Sequence, residues 1–294
     1  MRFVLRQLLR SPGFVVAACV TVALGVGVNT TAFSVFNRLL LQSLPFRDPG
    51  RLVQIWGARP QNPYLGQGPG DYYVEAQANS VFTDMALYTT GFSANASLTE
   101  TGASPIQVGA VRVTGNFFRV IGVGARLGRT FSDQEATQSL PVAVVSSAFW
   151  AEHYQKDPHL LGKTVTLNRI TYTVVGVMPP TLDDPLLFGA SPGFWVLDST
   201  LPSLHQYHGS GWYVAVGRLK HGVSVAAAQA NLNVVGERLA HDFPKTKSGY
   251  SLRVVPFPSN QVGSDGVHIT WLLAALAVMV LVIACVNLAN LQLV

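Results

Sequence analysis

The chain has 294 residues, of which 49% are hydrophobic and only 12% charged, a charge content below that of a wholly soluble protein, so part of it is expected to lie in lipid. Its formal net charge of +5 comes from Lys and Arg spread along the chain, without the basic run or patch that nucleic acid would require. Both cysteines, Cys19 and Cys285, fall in apolar terminal segments, so the long middle region needs no disulfide framework and holds no Cys-rich metal site.

Residues 1–12 read as a cytoplasmic amphipathic segment. Arg2, Arg6 and Arg10 share one helix face and suit a helix lying on the membrane surface; ordinary positive-inside anchoring explains them equally well. A first transmembrane helix is expected over 13–41, because Phe14 to Phe36 carries no charge and is long enough for a hydrocarbon core of about 30 Å. A cleaved signal peptide is the rival reading, against which no A-x-A site follows the apolar stretch. Ala17, Thr21, Gly25 and Asn29 line one face with small or polar side chains, which suits packing against another helix better than a substrate path.

The region 45–262 is then extracytoplasmic and reads as mixed α/β. Leu52 to Trp56 predicts a strand, and a helix capped by Asp71 is expected to carry Val74, Ala78, Val81, Phe82 and Met85 at helical spacing. Strands are expected at Ile106–Thr114 and Val142–Val145, a short helix at Ser147–Gln155, and a hairpin of Thr164–Leu167 with Tyr172–Val177 across Asn168-Arg169. The strand Trp212–Arg218, a helix capped by Ser224 and ended by Phe243-Pro244, and the strand Leu252–Val255 form a closing unit. The fold class is thus α+β: two β-α-β halves, about 49–105 and 210–258, around a β-rich insertion of about 106–209. A second apolar helix over 270–294, with Asn287 and Asn290 as further packing residues, completes a membrane-anchored arrangement between two transmembrane helices and is expected to be truncated.

Signatures of catalysis are weak throughout. Gly162-Lys163-Thr164 lacks the earlier glycine of a phosphate-binding loop, and Gly122 to Thr130 has arginine where lysine belongs. The pairs His205/His208 and His153/His159 lack a third metal ligand at a recognisable spacing and are expected on the surface. Asp183-Asp184 reads as a turn, and Asn95-Ala96-Ser97 matches a glycosylation sequon that matters only in a eukaryotic secretory pathway. No enzyme activity, cofactor or metal is expected.

The order of segments resembles the permease of MacB/FtsX-type ABC transporters. The resemblance is carried by Leu9-Arg10-Ser11-Pro12-Gly13-Phe14, Ala23-Leu24-Gly25-Val26-Gly27-Val28-Asn29-Thr30, Val113-Thr114-Gly115-Asn116-Phe117-Phe118, Leu127-Gly128-Arg129, Tyr172 to Pro179 and Ile283 to Leu291. It implies a first transmembrane helix, a MacB-like periplasmic core domain and part of a second helix in the bacterial inner membrane, with a cytoplasmic N-terminus. It also implies a separate or fused ATP-binding cassette ATPase, a homodimer or pseudo-dimer in the lipid bilayer, and a periplasmic or outer-membrane partner. The expected role is mechanical transmission for efflux or export. A membrane-anchored interaction module without an ATPase, and an enzyme tethered by one helix, are the alternatives.

Overall fold

A computed structural model of the chain describes residues 46–90, 95–100, 102, 104–183, 185–188, 192–209 and 211–257, together with 23, 26, 27, 30 and scattered positions from 271 to 286. The chain divides into one unit of Met1–Leu44 with Val262–Val294 and another of Pro45–Gln261. Described positions of the first unit are helical, and no helix among the described residues is long and apolar enough to cross a membrane. Arg2, Arg6, Arg10, Ala17, Thr21, Gly25, Asn29, Asn287 and Asn290 all lie outside the described residues.

The second unit runs β1 (Leu52–Arg59), β2 (Asn62–Leu65), α1 (Pro69–Gln77), β3 (Phe82–Thr89), β4 (Asn95–Thr99), β5 (Ile106–Val113), α2 (Phe117–Ile121), β6 (Leu127–Gly128) and α3 (Asp133–Thr137). It continues through β7 (Val142–Val145), α4 (Ser147–Glu152), β8 (Thr164–Leu167), β9 (Ile170–Val177), α5 (Pro185–Phe188), β10 (Phe194–Leu197), β11 (Tyr213–Leu219), α6 (Val225–Asp242), α7 (Pro244–Lys247) and β12 (Ser251–Pro256).

Strands β3, β11, β1 and β12 lie side by side and antiparallel. The two β-α-β units expected from sequence, β1-α1-β3 and β11-α6-β12, are therefore not separate halves. Each is split by a strand of the other, the interleaving of a split β-α-β sheet. One hydrophobic layer explains why. Val53, Ile55, Met85, Leu87, Ala215 and Leu252 meet Ala228, Leu232, Val235 and Leu239 of α6, with Tyr72 and Val74 of α1 against the same layer. Both helices thus cover a single face, and only the interleaved order puts all four strands beneath them.

The insertion closes on itself. Pairings β5–β10, β10–β7, β7–β9, β9–β8, β8–β4 and β4–β5 join six strands into a ring. Val145, Val165, Leu167, Val174, Phe194 and Val196 fill it. Closure leaves those strands no free edge. The strand β4, inside the first half by sequence, belongs to this ring, and the ring joins the split sheet where Tyr88 of β3 pairs with Val113 of β5.

Local chemistry sets the boundaries. Helix α1 stops at Gln77 because Asn79 Oδ1 accepts from the backbone N–H of Val81 (3.1 Å) and Phe82 (2.7 Å), turning the chain in the way a short amide side chain competes with helix bonding. Phe82 and Met85 therefore lie in a strand, and the helical spacing read through them is coincidental. Asp71 does not precede the helix but sits in its first turn, accepting from Gly68 N–H at 3.2 Å. Ser224 does cap α6, accepting from Ala227 N–H at 3.1 Å.

Candidate functional site

The first and last strands of the domain are neighbours, with Val53 opposite Pro256 and Ala58 opposite Ser251. Phe257 N–H donates to Leu52 carbonyl at 2.9 Å, and the Phe46 and Phe257 rings meet at 5.2 Å. Both ends of the domain therefore leave from one edge, the base.

Arginines fasten that base. The Nε and Nη2 of Arg51 donate to the Leu219 carbonyl at 2.9 and 2.6 Å, and its Nη1 lies 3.0 Å from His221 Nε2. Arg218 donates from Nε to Val120 carbonyl (2.8 Å) and from Nη1 to Arg47 carbonyl (2.7 Å). Burial, followed by the charge of Arg51, holds the Arg218 guanidinium below its ordinary pKa.

From the base an unbroken series of rings runs across the sheet face opposite the helices. Phe257 meets Phe188 at 6.4 Å, Phe188 meets Tyr88 at 5.6 Å and Phe117 at 5.9 Å, and Phe188 meets Trp195 of β10 at 6.2 Å. Trp195 meets Phe118 at 6.2 Å, and Phe118 meets Phe131 at 5.5 Å. Tilted and edge-on contacts of this kind each add about 0.5–1.5 kcal/mol beyond area burial. The series links the chain ends to the ring, and its Val113-Thr114-Gly115-Asn116-Phe117-Phe118 stretch is among the residues singled out by sequence.

At the far end of the split sheet, charges are buried instead. Asp71 accepts from Lys247, and its Oδ1 lies 3.0 Å from His208 Nδ1. The His208 ring stacks on Phe243 at 3.6 Å, and Lys247 sits over the Tyr250 ring at 4.0 Å. Glu75, one helical turn from Asp71, is 0% exposed, and neither of its carboxyl oxygens has a partner among the described residues. Burial, then the Asp71 charge, pushes the Glu75 carboxyl well above the usual carboxylate range, against the pull of Lys247.

His208 corrects one expectation: its side chain is only 10% exposed, because Gly70 leaves room for it where a β-carbon would stand 2.8 Å from its Cε1. His205, His153 and His159 are exposed. Among the described residues no group of three His, Cys, Asp or Glu could hold a metal. Lys163 pairs with Asp157 at 3.1 Å and Thr164 opens a strand, so Gly162-Lys163-Thr164 lies at no strand-to-helix phosphate loop. Asp183 accepts from Ser147 and Ala148 N–H at 3.1 and 2.9 Å, tying its loop to α4; Asp184 lies outside the described residues. Open grooves also occur among the described residues. One of about 400 Å³ is lined by Tyr73, Val74, Gln77, Pro202 and His205, and one of about 330 Å³ by Gln107, Phe149, Glu152 and Asp183 among others.

The family profile described as MacB-like periplasmic core domain matches residues 16–235. Among solved structures, the periplasmic region of MacB from Actinobacillus actinomycetemcomitans is 14% identical, with a TM-score of 0.53, over 73% of this chain and 92% of that one. A domain assigned to a permease protein from Porphyromonas gingivalis is 15% identical, with a TM-score of 0.57, over 73% and 94%. At these identities the likeness is one of fold. No curated protein sequence matches the chain.

Proposed function

This chain belongs to the family of MacB-like periplasmic core domains, and from that premise we propose that it is the permease part of an ABC-type transporter whose periplasmic domain is moved by an ATPase. In this reading the apolar segments 13–41 and 270–294 cross the inner membrane from a cytoplasmic N-terminus. The ATPase hydrolyses ATP at the cytoplasmic side, and two permease halves pair. The domain carries their motion towards a periplasmic or outer-membrane partner for efflux or export, with no catalytic step of its own.

The observation that carries the proposal is the series of rings from Phe46 and Phe257 at the base to Trp195 in the ring. Close-packed interiors transmit displacement because a void or overlap of a fraction of an ångström is costly. Two tethers leaving from paired strands, backed by a contiguous aromatic layer, move the ring as a body when the tethers move.

Spin labels in the full permease, reconstituted with its ATPase, test this. Exposed Ile170 on the ring and Val234 on α6 serve as label sites. The Ile170 to Ile170 distance between protomers is expected to change by several ångströms on vanadate trapping of ATP, a typical scale for rigid-body switching, while the distance from Ile170 to Val234 within one domain stays fixed. Distances indifferent to nucleotide, or no second protomer at all, would overturn the reading in favour of a tethered interaction module.

A further inference from the structure

We propose that the base of the domain carries a docking surface for anionic phospholipid, formed by Arg47, Arg51, Arg218 and Lys220 and recognising head-group phosphate at the bilayer surface. The inference rests on the membrane-anchored reading above and adds a ligand to it.

On the membrane-anchored reading, the short connection to the first apolar segment limits how far this surface can stand from the bilayer. The apolar stretch of the first segment runs to Leu41, and only residues 42–45 separate it from Phe46. At about 3.3–3.6 Å per residue they reach less than about 20 Å. Phe257 lies against Phe46, so the outgoing chain leaves from the same place.

Charge is unbalanced there. Arg218 lies within the fields of Arg51, Arg47 and Asp48, and Asp48 is already engaged by Arg51 at 3.6 Å. Lys220, at the same end of β11, spends one donor on Ser80 carbonyl at 2.7 Å and is otherwise exposed. The nearby acids Asp84 and Asp133 are held by Arg119 at 3.5 and 3.0 Å. Arg47, Arg51, Arg218 and Lys220 thus carry four positive charges against the one carboxylate of Asp48, which Arg51 already engages.

Their arrangement is built rather than scattered. Arg218 spends Nε and Nη1 on backbone carbonyls, one of them that of Arg47, and its Nη2 is buried without a partner among the described residues. Gly122 lies beside it in the left-handed region (φ 74°), and a β-carbon there would come within 2.7 Å of Arg47 Cβ and 3.2 Å of Arg218 Nη2. The fixed guanidinium and the base of the exposed Arg47 side chain thus both border Gly122, where any side chain would crowd them. Arg47 forms no ion pair among the described residues, so its whole fork is free to take a phosphate oxygen pair. A bilayer surface supplies many such phosphates at once, and each basic side chain near an anionic surface adds to the attraction.

The test uses the full chain in uncharged detergent, with native mass spectrometry of bound lipid during titration with phosphatidylglycerol, phosphatidylcholine or inorganic phosphate. Phosphatidylglycerol is expected to bind more tightly than phosphatidylcholine, and R47E and R47E/K220E to weaken its binding by about tenfold or more, with unfolding temperatures close to that of the unaltered chain. An R47E/K220E chain that is folded and binds phosphatidylglycerol as before would overturn the proposal. So would inorganic phosphate that displaces the lipid at equal concentration, since that describes a free-anion site. Failure of the unaltered chain to enter detergent micelles or bilayers would instead overturn the membrane-anchored reading itself.

Discussion

Among the described residues Lys247 is the one buried lysine or arginine beside the two buried carboxyls, and it bonds Asp71. Glu75 is left to avoid charge by keeping its proton, which is the cheaper course for a carboxyl without a partner. The sign of the resulting pH dependence follows. An unfolded chain ionises Glu75 near the ordinary value of 4.5, whereas the folded domain resists ionisation, so this residue's contribution falls as pH rises above that value. Glu75→Gln is therefore expected to match the parent near pH 4 and to exceed it at higher pH, the gap growing by about 1.4 kcal/mol per pH unit until the folded carboxyl ionises. Thermal unfolding of both chains across that range checks it, and parallel curves would refute the assignment. None of this was legible in the sequence. Asp71 and Lys247 stand 176 positions apart, and no local pattern signals a pair that only tertiary packing creates. His208 was misplaced on the surface for the same reason.

Elements with a chemical boundary were readable; those without one were not. Ser224 before the apolar stripe of α6 and Phe243-Pro244 after it gave that helix both ends. Asn168-Arg169 between alternating runs marked the β8–β9 hairpin, and both residues do have positive φ, 49° and 68°, as a two-residue turn of the primed type requires. The Asn168 side chain also accepts from Ser97 N–H at 2.9 Å, sewing the turn to β4. Arg169 has no such compensation in the left-handed region, so Arg169→Gly is expected to raise stability by about 1 kcal/mol, or roughly 2–4 °C in a domain of this size. A melting temperature that falls would show the arginine is doing more than filling the turn. By contrast β4 and β10 are only five and four residues long, and their pairing is decided by ring closure, which no local pattern records. Helix α3 also carries its start in the local sequence, in the Ser132 to Glu135 capping box.

At the scale of the whole molecule, the α+β class and the presence of two β-α-β units were visible, but their interleaving was not, since strand order depends on which face two distant helices share. If the domain moves as one body, its first and last strands never slide past each other. Trp56 and Arg253 stand opposite each other on β1 and β12, within the range a disulfide can bridge. In a permease with Cys19 and Cys285 replaced, oxidising a Trp56→Cys/Arg253→Cys pair is expected to leave transport-coupled ATP turnover unchanged, whereas loss of turnover restored by reductant would show that the two strands shear during the cycle. The same strand order governs how the domain is made. Strand β1 is made first among the strands, yet the two partners that flank it, β11 and β12, begin only at Tyr213 and Ser251. Such pairing at long sequence separation is slow. Only the end of β1 has an early partner, in β2, where Gly57 stands opposite Leu65 and Arg59 opposite Asn62. The apolar start of the strand, Leu52 to Ile55, must wait until nearly the whole domain has been made, and an apolar strand without its partners is prone to aggregation in the meantime.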